Sequence, residues 1–209
     1  TLTNITSGTS GTVTAAAAGI TISGNTTDLT AALVTTETNA VVANGKVTIT
    51  DTGNVAATVL SAIGNSTGGT VTATGALTIT GTTEEITNAL VTASKLVVAS
   101  NESAAVKFVG DNPTGAQLAL INPKVSGTIT LANNAQVFTG TADQMKAAFT
   151  GGLEGTQTGN VTISDTSGTI AATTLTDITG QTNGTVTAAA SDITISGNTT
   201  DLTAALVTT

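Results

Sequence analysis

The decapeptide GNTTDLTAAL occupies residues 24–33 and recurs without a change at residues 197–206. Two related phrases, GTTEEITNAL from Gly81 and GTADQMKAAF from Gly140, stand between them. In each phrase apolar residues follow the opening polar residues at spacings of three and four, which is typical of one face of a helix. The phrases are 57, 59 and 57 residues apart, so we predict the same short helix once in each unit of about 58 residues.

The first turn of each predicted helix carries capping residues. Thr82 with Glu85 and Thr141 with Gln144 match the capping box, in which each side chain accepts a hydrogen bond from the other residue's backbone amide. The other two copies have Asn at the N-cap and Asp three residues later. The four predicted N-caps are Asn25, Thr82, Thr141 and Asn198, and the residues three positions later are Asp28, Glu85, Gln144 and Asp201.

A longer repeat encloses the short one. Residues 1–36 align with residues 174–209 without a gap and match at 30 of 36 positions, so a super-repeat of three units is 173 positions long. We therefore predict one continuous repeat array over residues 1–209 and expect it to continue beyond this sequence. Its predicted parts are a partial unit (1–46), a unit (47–105), a degenerate unit (106–160) and a second partial unit (161–209).

One unit contains both strand and helix patterns. VTIT at residues 47–50 alternates apolar and polar residues and predicts a strand, which DTGN then ends. VAATVLSAI from Val55 predicts a short helix, and in the degenerate unit Asn112 and Pro113 suit the N-cap and the first helical position. GTVTATGALTITG from Gly69 predicts one strand, or two strands with a Gly corner.

Strand–helix–strand connections within one sheet favour parallel pairing and a right-handed crossover. The fold class we predict is a β-rich repeat protein, a right-handed parallel β-solenoid with short helices built from β-α-β-β-α units. The alternative is a string of tandem β-sandwich domains, although a unit of about 58 residues is short for a sandwich of about 100 residues.

The composition argues against several classes of function. The chain has no Cys and no His, which removes thiol nucleophiles, imidazole bases and the usual ligands of zinc. A net charge of −8 argues against a nucleic-acid partner, and no apolar run is long enough to span a bilayer. About a quarter of the residues are Thr, but no base stands beside them to activate a hydroxyl. We therefore predict that the chain is not an enzyme and has no cofactor, with calcium as the one metal to consider.

Two sets of acidic residues are the candidate calcium ligands. Asp51 and Asp165 each follow a predicted strand and precede a Gly turn, and calcium favours such oxygen-rich loops. Asp28 and Asp201 lie in the first turn of predicted helices. None of the four lies in an EF-hand or nonapeptide calcium motif. The other interpretation is that the first pair forms Asx turns and the second pair caps helices.

The degenerate unit holds the three aromatic residues of the chain, Phe108, Phe138 and Phe149, and its only Met, Met145. These large side chains could form a lateral contact face that recurs once in every super-repeat. Because the Phe residues lie in apolar register, and Phe138 aligns with an inward Ile of the sister unit, we predict instead that they are core residues.

The phrases GTVTAxxxxITISG followed by TTDLTAAL, TITGTTEEITNAL from Thr78 and FTGTADQMKAAF from Phe138 resemble the Thr/Ala-rich arrays of giant repeat-rich cell-surface proteins, especially those of marine cyanobacteria. The resemblance implies an extracellular or cell-surface location and a role in a surface layer, adhesion or motility. We expect a structural segment of a large secreted tandem-repeat protein, acting as fibre, spacer or surface layer, or alternatively an adhesive module that recognises glycan or another surface. The expected partners are neighbouring repeats and copies of the same chain.

Overall fold

The computed structural model describes residues 2–14, 19–35, 40–41, 43–92, 96–98, 104–188 and 190–207. The chain divides into two compact units. The first contains residues 1–109 with 124–128, and the second contains residues 110–123 with 129–209. The division into sequence repeats predicted above stays a prediction, since these compact units are defined by contacts and not by the repeat.

The first unit alternates short strands and short helices. Its elements in chain order are α1 (Leu2–Ser7), β1 (Val13–Thr14), β2 (Thr21–Gly24), α2 (Thr26–Leu33), β3 (Ala40–Val41), β4 (Lys46–Ile49), β5 (Gly53–Ala56), α3 (Ala57–Asn65), β6 (Val71–Ala73), β7 (Leu77–Gly81), α4 (Thr83–Thr87), a π-helical turn (Asn88–Thr92), β8 (Leu96–Val98) and β9 (Ala105–Phe108).

The second unit has the same kinds of element. They are α5 (Gly115–Ile121), β10 (Ile129–Thr130), β11 (Phe138–Gly140), α6 (Ala142–Phe149), β12 (Val161–Ile163), β13 (Ser167–Ala171), α7 (Ala172–Thr179), β14 (Val186–Ala188), β15 (Asp192–Ser196) and α8 (Thr199–Leu206). A 3-10 turn, Asn122–Lys124, follows α5.

The strand pairs described are parallel, and each strand pairs with one about 25 positions away along the chain. In the first unit β2, β4, β6 and β8 lie side by side in that order, β5, β7 and β9 form a second sheet, and β1 pairs with β3. In the second unit the sheets are β11-β12-β14 and β13-β15. Thr21 faces Lys46 and Val47 faces Val71, so residues about 25 positions apart lie side by side.

The predicted fold class is wrong. The structure is a mixed α/β arrangement of helices and several short parallel sheets, not a closed right-handed β-solenoid. The strands are two to five residues long, and helix starts and Gly turns interrupt them. Helices therefore bury much of the apolar surface that a solenoid would bury between continuous sheets. The tandem β-sandwich alternative also fails, because a sandwich requires antiparallel sheets and the described pairs are parallel.

Several predictions about one unit can be compared with the structure directly. The strand predicted at residues 47–50 corresponds to β4, and GTVTATGALTITG forms two strands, β6 and β7. The helix predicted from Val55 begins two residues later, as α3, because Val55 belongs to β5. Gly53 has a φ of +86°, which favours glycine and lets the chain turn and resume an extended path after DT. The unit therefore contains a strand that the sequence pattern did not predict.

The prediction of Asn112 as an N-cap is also wrong. The helix begins at Gly115 with Thr114 as its N-cap, and Thr114 forms a capping box with Gln117. The side chain of Asn112 instead accepts hydrogen bonds from the amides of Ala132 and Asn133 and donates one to the carbonyl of Asn133. Asn112 therefore links the segment before α5 to the segment that follows β10.

The prediction that the three Phe residues are core residues is confirmed. Phe108, Phe138 and Phe149 have 2%, 0% and 3% of their surface exposed. In the second unit the rings of Phe138 and Phe149 meet edge to face, with centroids 5.1 Å apart, and Met145 is fully buried. In the first unit the core is mainly aliphatic and includes Ile63 and Ile79.

Within the described residues, no helix has the length and hydropathy needed to cross a membrane.

Candidate inter-repeat interface

The four predicted N-caps occupy the positions that the sequence assigned to them. Thr82 with Glu85 and Thr141 with Gln144 form complete capping boxes. Asn25 accepts from the amide of Asp28 at 2.8 Å, and Asn198 accepts from the amide of Asp201 at 2.9 Å. The Asn caps and the capping boxes all satisfy the amide at the third helical position. The amide at the first helical position needs a partner from elsewhere.

Asp51 supplies that partner for α2. Its carboxylate accepts from the backbone amide of Thr26 at 2.6 Å and from the Thr26 hydroxyl at 2.9 Å. Thr26 is the first residue of α2, and Asp51 lies 25 residues later, after β4. Because β2 and β4 are parallel neighbours, their carboxyl ends lie at the same edge, and Asp51 reaches the helix that follows β2. The acid thus caps the helix of the preceding repeat, where negative charge is favourable.

Asp165 makes the same contact in the second unit. Its carboxylate accepts from the amide of Ala142, the first residue of α6, at 2.7 Å. The contact is simpler than that of Asp51, since Ala142 has no hydroxyl to donate a second bond. The backbone bonds Thr50 N–Gly24 O and Ser164 N–Gly140 O, one residue before each acid, fix both acids in the same place.

The equivalent position beside α4 has no acid. Val109 donates to the carbonyl of Gly81, as Thr50 does to Gly24, but the next residue is Gly110, with a φ of +87°. The helix itself carries Glu84 and Glu85 in its first turn. The acidic link between repeats is thus described at the starts of α2 and α6, and Asp111 is the acid that follows Gly110.

The structure places the four candidate calcium ligands at helix starts. Asp28 and Asp51 both lie at the start of α2, where Asp28 accepts from the side-chain amide of Asn25 at 3.0 Å. Asp165 lies at the start of α6, and Asp201 at the start of α8. Within the described residues no group of three or more acidic side chains is arranged to hold a metal ion. Calcium binding stays a prediction, and the observed bonds give Asp51 and Asp165 a capping role.

A buried threonine provides a second link between repeats. The hydroxyl of Thr67 donates to the carbonyl of Gly45 at 2.5 Å and accepts from the amide of Gly69 at 3.0 Å. Thr182 makes the equivalent bonds to the carbonyl of Gly159 at 2.7 Å and from the amide of Gly184 at 2.9 Å. Both threonines are more than 90% buried. The signal in the sequence is the pair TGG and TNG at equivalent positions.

The two glycines of this link let neighbouring backbones approach closely. A Cβ atom at Gly69 would lie 2.4 Å from the carbonyl oxygen of Gly45, and one at Gly184 would lie 2.2 Å from that of Gly159. A larger residue at either position would force the backbone of the preceding repeat to move. These glycines therefore serve close packing between repeats.

Asn122 links two helices of the degenerate unit, and the sequence analysis missed it. Its side-chain amide donates to the carbonyls of Ala147 at 2.9 Å, Ala148 at 3.4 Å and Thr150. These are carbonyls at the end of α6, which lack partners inside their own helix. Asn122 follows α5, so a residue at the end of one helix caps the end of the next helix within the degenerate unit. Asn122 has only 7% of its surface exposed.

Threonines of the second unit also form an exposed row. Thr139, Thr162 and Thr187 lie directly opposite one another on β11, β12 and β14, and all three are exposed. Adjacent strands are about 4.8 Å apart, so the row presents hydroxyl and methyl groups at a regular spacing. In the first unit Ser23, Thr48 and Thr72 are in register in the same way, but Thr48 and Thr72 are half-buried.

Comparison with known proteins finds no matching family model, no matching curated protein and no matching solved structure.

Proposed function

We propose that this chain is a structural segment of a large secreted tandem-repeat surface protein, serving as a fibre, spacer or surface layer. The observation that supports this role is the recurrence of polar links between successive repeats. Asp51 and Asp165 cap helices of the preceding repeat, and Thr67 and Thr182 bond to the preceding backbone. Each repeat thus completes the hydrogen bonding of its neighbour.

Such links suit a molecule whose role is to extend. In repeat proteins each unit contacts its neighbours, so stability is approximately the sum of unit and interface terms. Further copies can be added without a new kind of contact, because equivalent residues make equivalent bonds. We propose a structural and not a catalytic role, with neighbouring repeats and copies of the chain as partners and without nucleic acid.

The extracellular, cell-surface location rests on the resemblance of the repeat phrases to those of surface arrays, and its test is surface labelling. Antibodies raised against the purified chain should label intact cells of the source organism. Protease added to intact cells should abolish the label. An immunoblot should show a band far larger than the 20.2 kDa of this chain. Labelling only after the cells are made permeable would contradict the surface location.

The row of Thr139, Thr162 and Thr187 favours a second candidate function, an adhesive module that binds glycan or another surface. Ordered hydroxyl groups on an exposed face can donate and accept hydrogen bonds with a polar surface. The test replaces all three residues with Val, which keeps the β-branched shape and removes the hydroxyls. Retention on immobilised glycans should be lost, with and without calcium, while the same change at exposed Thr70, Thr128 and Thr185 should leave retention unchanged.

A further inference from the structure

An asparagine is directly followed by a glycine at two places in this chain, where Asn44 precedes Gly45 and Asn183 precedes Gly184. Such a pair can react with itself, because the backbone nitrogen of the glycine can attack the side-chain carbonyl carbon of the asparagine. A glycine has no Cβ atom, which gives its nitrogen the freedom to approach. The two pairs are chemically the same, so a difference in their reactivity must come from the surrounding structure.

The amide of Gly184 already has a hydrogen-bond partner. It donates to the hydroxyl of Thr182 at 2.9 Å, and that hydroxyl donates to the carbonyl of Gly159 at 2.7 Å. The amide of Asn183 donates to the carbonyl of Gln157 at 2.8 Å, so the backbone on both sides of the reacting bond is held. The nitrogen that would have to attack is therefore fixed with its hydrogen directed at Thr182.

The hydrogen bonds around Asn44 are arranged differently. Asn44 is exposed, and its side chain makes no hydrogen bond to any residue that the structure describes. The carbonyl of Gly45 accepts from the hydroxyl of Thr67 at 2.5 Å, but no group in the described part of the chain accepts from the amide of Gly45. The bonds at this pair hold the carbonyl and leave the nitrogen available for attack.

We propose that Asn44 is a site of spontaneous deamidation and that Thr182 protects Asn183 from the same reaction. At Asn44 the nitrogen of Gly45 loses its proton to water or hydroxide and bonds to Cγ, and the side-chain nitrogen leaves as ammonia. One water molecule then opens the cyclic imide. Opening at Cγ gives aspartate, whereas opening at the main-chain carbonyl gives isoaspartate, in which Gly45 is joined through Cγ. Either product has a new negative charge.

The position of Asn44 gives this reaction a structural consequence. The carbonyls on either side of it belong to Ala43 and Gly45, and they accept from the amide of Gly68 at 2.8 Å and the hydroxyl of Thr67 at 2.5 Å. Isoaspartate adds one carbon atom to the main chain between these carbonyls, so the two bonds cannot both keep their geometry. Deamidation should therefore weaken the link to the segment that precedes β6. This inference does not depend on the proposed role or location of the chain.

The first experiment compares the two sites within the same full chain. The folded chain is incubated in mildly alkaline buffer, and samples are digested and analysed by mass spectrometry with fragmentation that separates aspartate from isoaspartate. Deamidation at Asn44 should be several-fold faster than at Asn183. In concentrated urea the bond from Gly184 to Thr182 is lost, and the two rates should converge. A rate at Asn44 equal to or below that at Asn183 in the folded chain would overturn the proposal.

The second experiment tests the protection of Asn183. Thr182→Val removes the hydroxyl that accepts from Gly184, so it should raise the rate at Asn183 several-fold and leave the rate at Asn44 unchanged. Thr182→Ser retains the hydroxyl and should retain the slow rate. Hydrogen exchange in α7 establishes that both variants remain folded. An unchanged rate in Thr182→Val, or an equal rise in Thr182→Ser, would show that the hydrogen bond is not what protects Asn183.

The third experiment measures the consequence for stability. Asn44→Asp introduces the charge but keeps the normal main chain, whereas the aged wild type contains isoaspartate at this position. The aged chain should unfold at a lower urea concentration than Asn44→Asp. Asn44→Gln, whose side chain would have to form a larger ring, serves as the control for other damage during ageing. If aged wild type and aged Asn44→Gln unfold together, the link tolerates isoaspartate and the predicted consequence is wrong.

Discussion

At the strand position before the capped helix, the first unit has Ile79 and the second has Phe138. Both side chains are completely buried, but Phe138 packs edge to face on Phe149. The polar links differ much less, since Thr67 and Thr182 make the same bonds to the preceding backbone. The comparison indicates that the hydrogen bonds between repeats fix the position of each repeat against the preceding one. The side chains that fill the core can change.

The largest expected effect concerns the aromatic core. Phe138→Ala should lower the free energy of unfolding of the second unit by about 3–5 kcal/mol, because it leaves a cavity beside Phe149 and removes the ring contact. Urea unfolding followed by hydrogen exchange in α6 measures the loss. Val137→Ala is the matched control, since Val137 is 64% exposed and should change the free energy by less than about 0.5 kcal/mol.

A reciprocal exchange sharpens this first prediction. Ile79→Phe places a ring in a core that is mainly aliphatic. The overpacking should lower the free energy of unfolding by about 1–3 kcal/mol. Phe138→Ile should cost less than Phe138→Ala, because it refills part of the cavity. Equal stability of Ile79→Phe and the wild type would mean that the two cores do not differ in shape as the structure indicates.

The two acidic links should differ in strength. Asp51→Ala removes a carboxylate that accepts two hydrogen bonds from Thr26, and it should lower the free energy of unfolding by about 2 kcal/mol. Asp165→Ala removes one bond to Ala142 and should cost about half as much. Thermal unfolding of the two variants with and without calcium measures both effects. A wild-type chain stabilised by calcium, with both variants insensitive to it, would assign these acids to a metal site.

The buried hydroxyls should give a smaller and equal effect in the two units. Thr67→Val and Thr182→Val keep the shape of the side chain but leave a glycine carbonyl and a glycine amide without their hydroxyl partner. Each substitution should lower the free energy of unfolding by about 1 kcal/mol. Replacement by Ser retains the hydroxyl and serves as the control. If Val and Ser variants unfold at the same urea concentration, the link does not contribute to stability.

The smallest expected effect is that of the ion pair between α6 and α7. Lys146 and Asp177 lie 2.9 Å apart, but their side chains are 43% and 54% exposed, so water and salt screen the attraction. Lys146→Ala should change the free energy of unfolding by a few tenths of a kcal/mol. Unfolding at low and at high salt provides the check, and a loss above about 1 kcal/mol would show a coupled network at this site.

The sequence predicted what depends on neighbouring residues. Asn25, Thr82, Thr141 and Asn198 were identified as N-caps because a cap and its amide lie within four residues of each other. The register of Phe138 with its sister Ile likewise identified it as core. These features require only the local pattern and the repeat.

Features that depend on the packing of distant segments were not predicted. The bond from Asp51 to Thr26 joins residues 25 positions apart, and a sequence pattern alone assigns such an Asp to a local turn or to calcium. Strand β5 was missed because the positive φ of Gly53 restarts a strand that DTGN was expected to end. Because strand β5 was not predicted, the predicted unit had too few strands and its sheet was too continuous. The predicted fold class was therefore wrong.

The matching register of the repeats has a genetic consequence. Residues 1–36 and 174–209 match at 30 of 36 positions, and recombination between the gene segments that encode them would remove or duplicate one whole super-repeat. After a duplication β15 would be followed by the sequence that begins β4, and Thr199 would meet Asp51 as Thr26 does now. Genes of different length could therefore encode chains that contain the same set of local interactions.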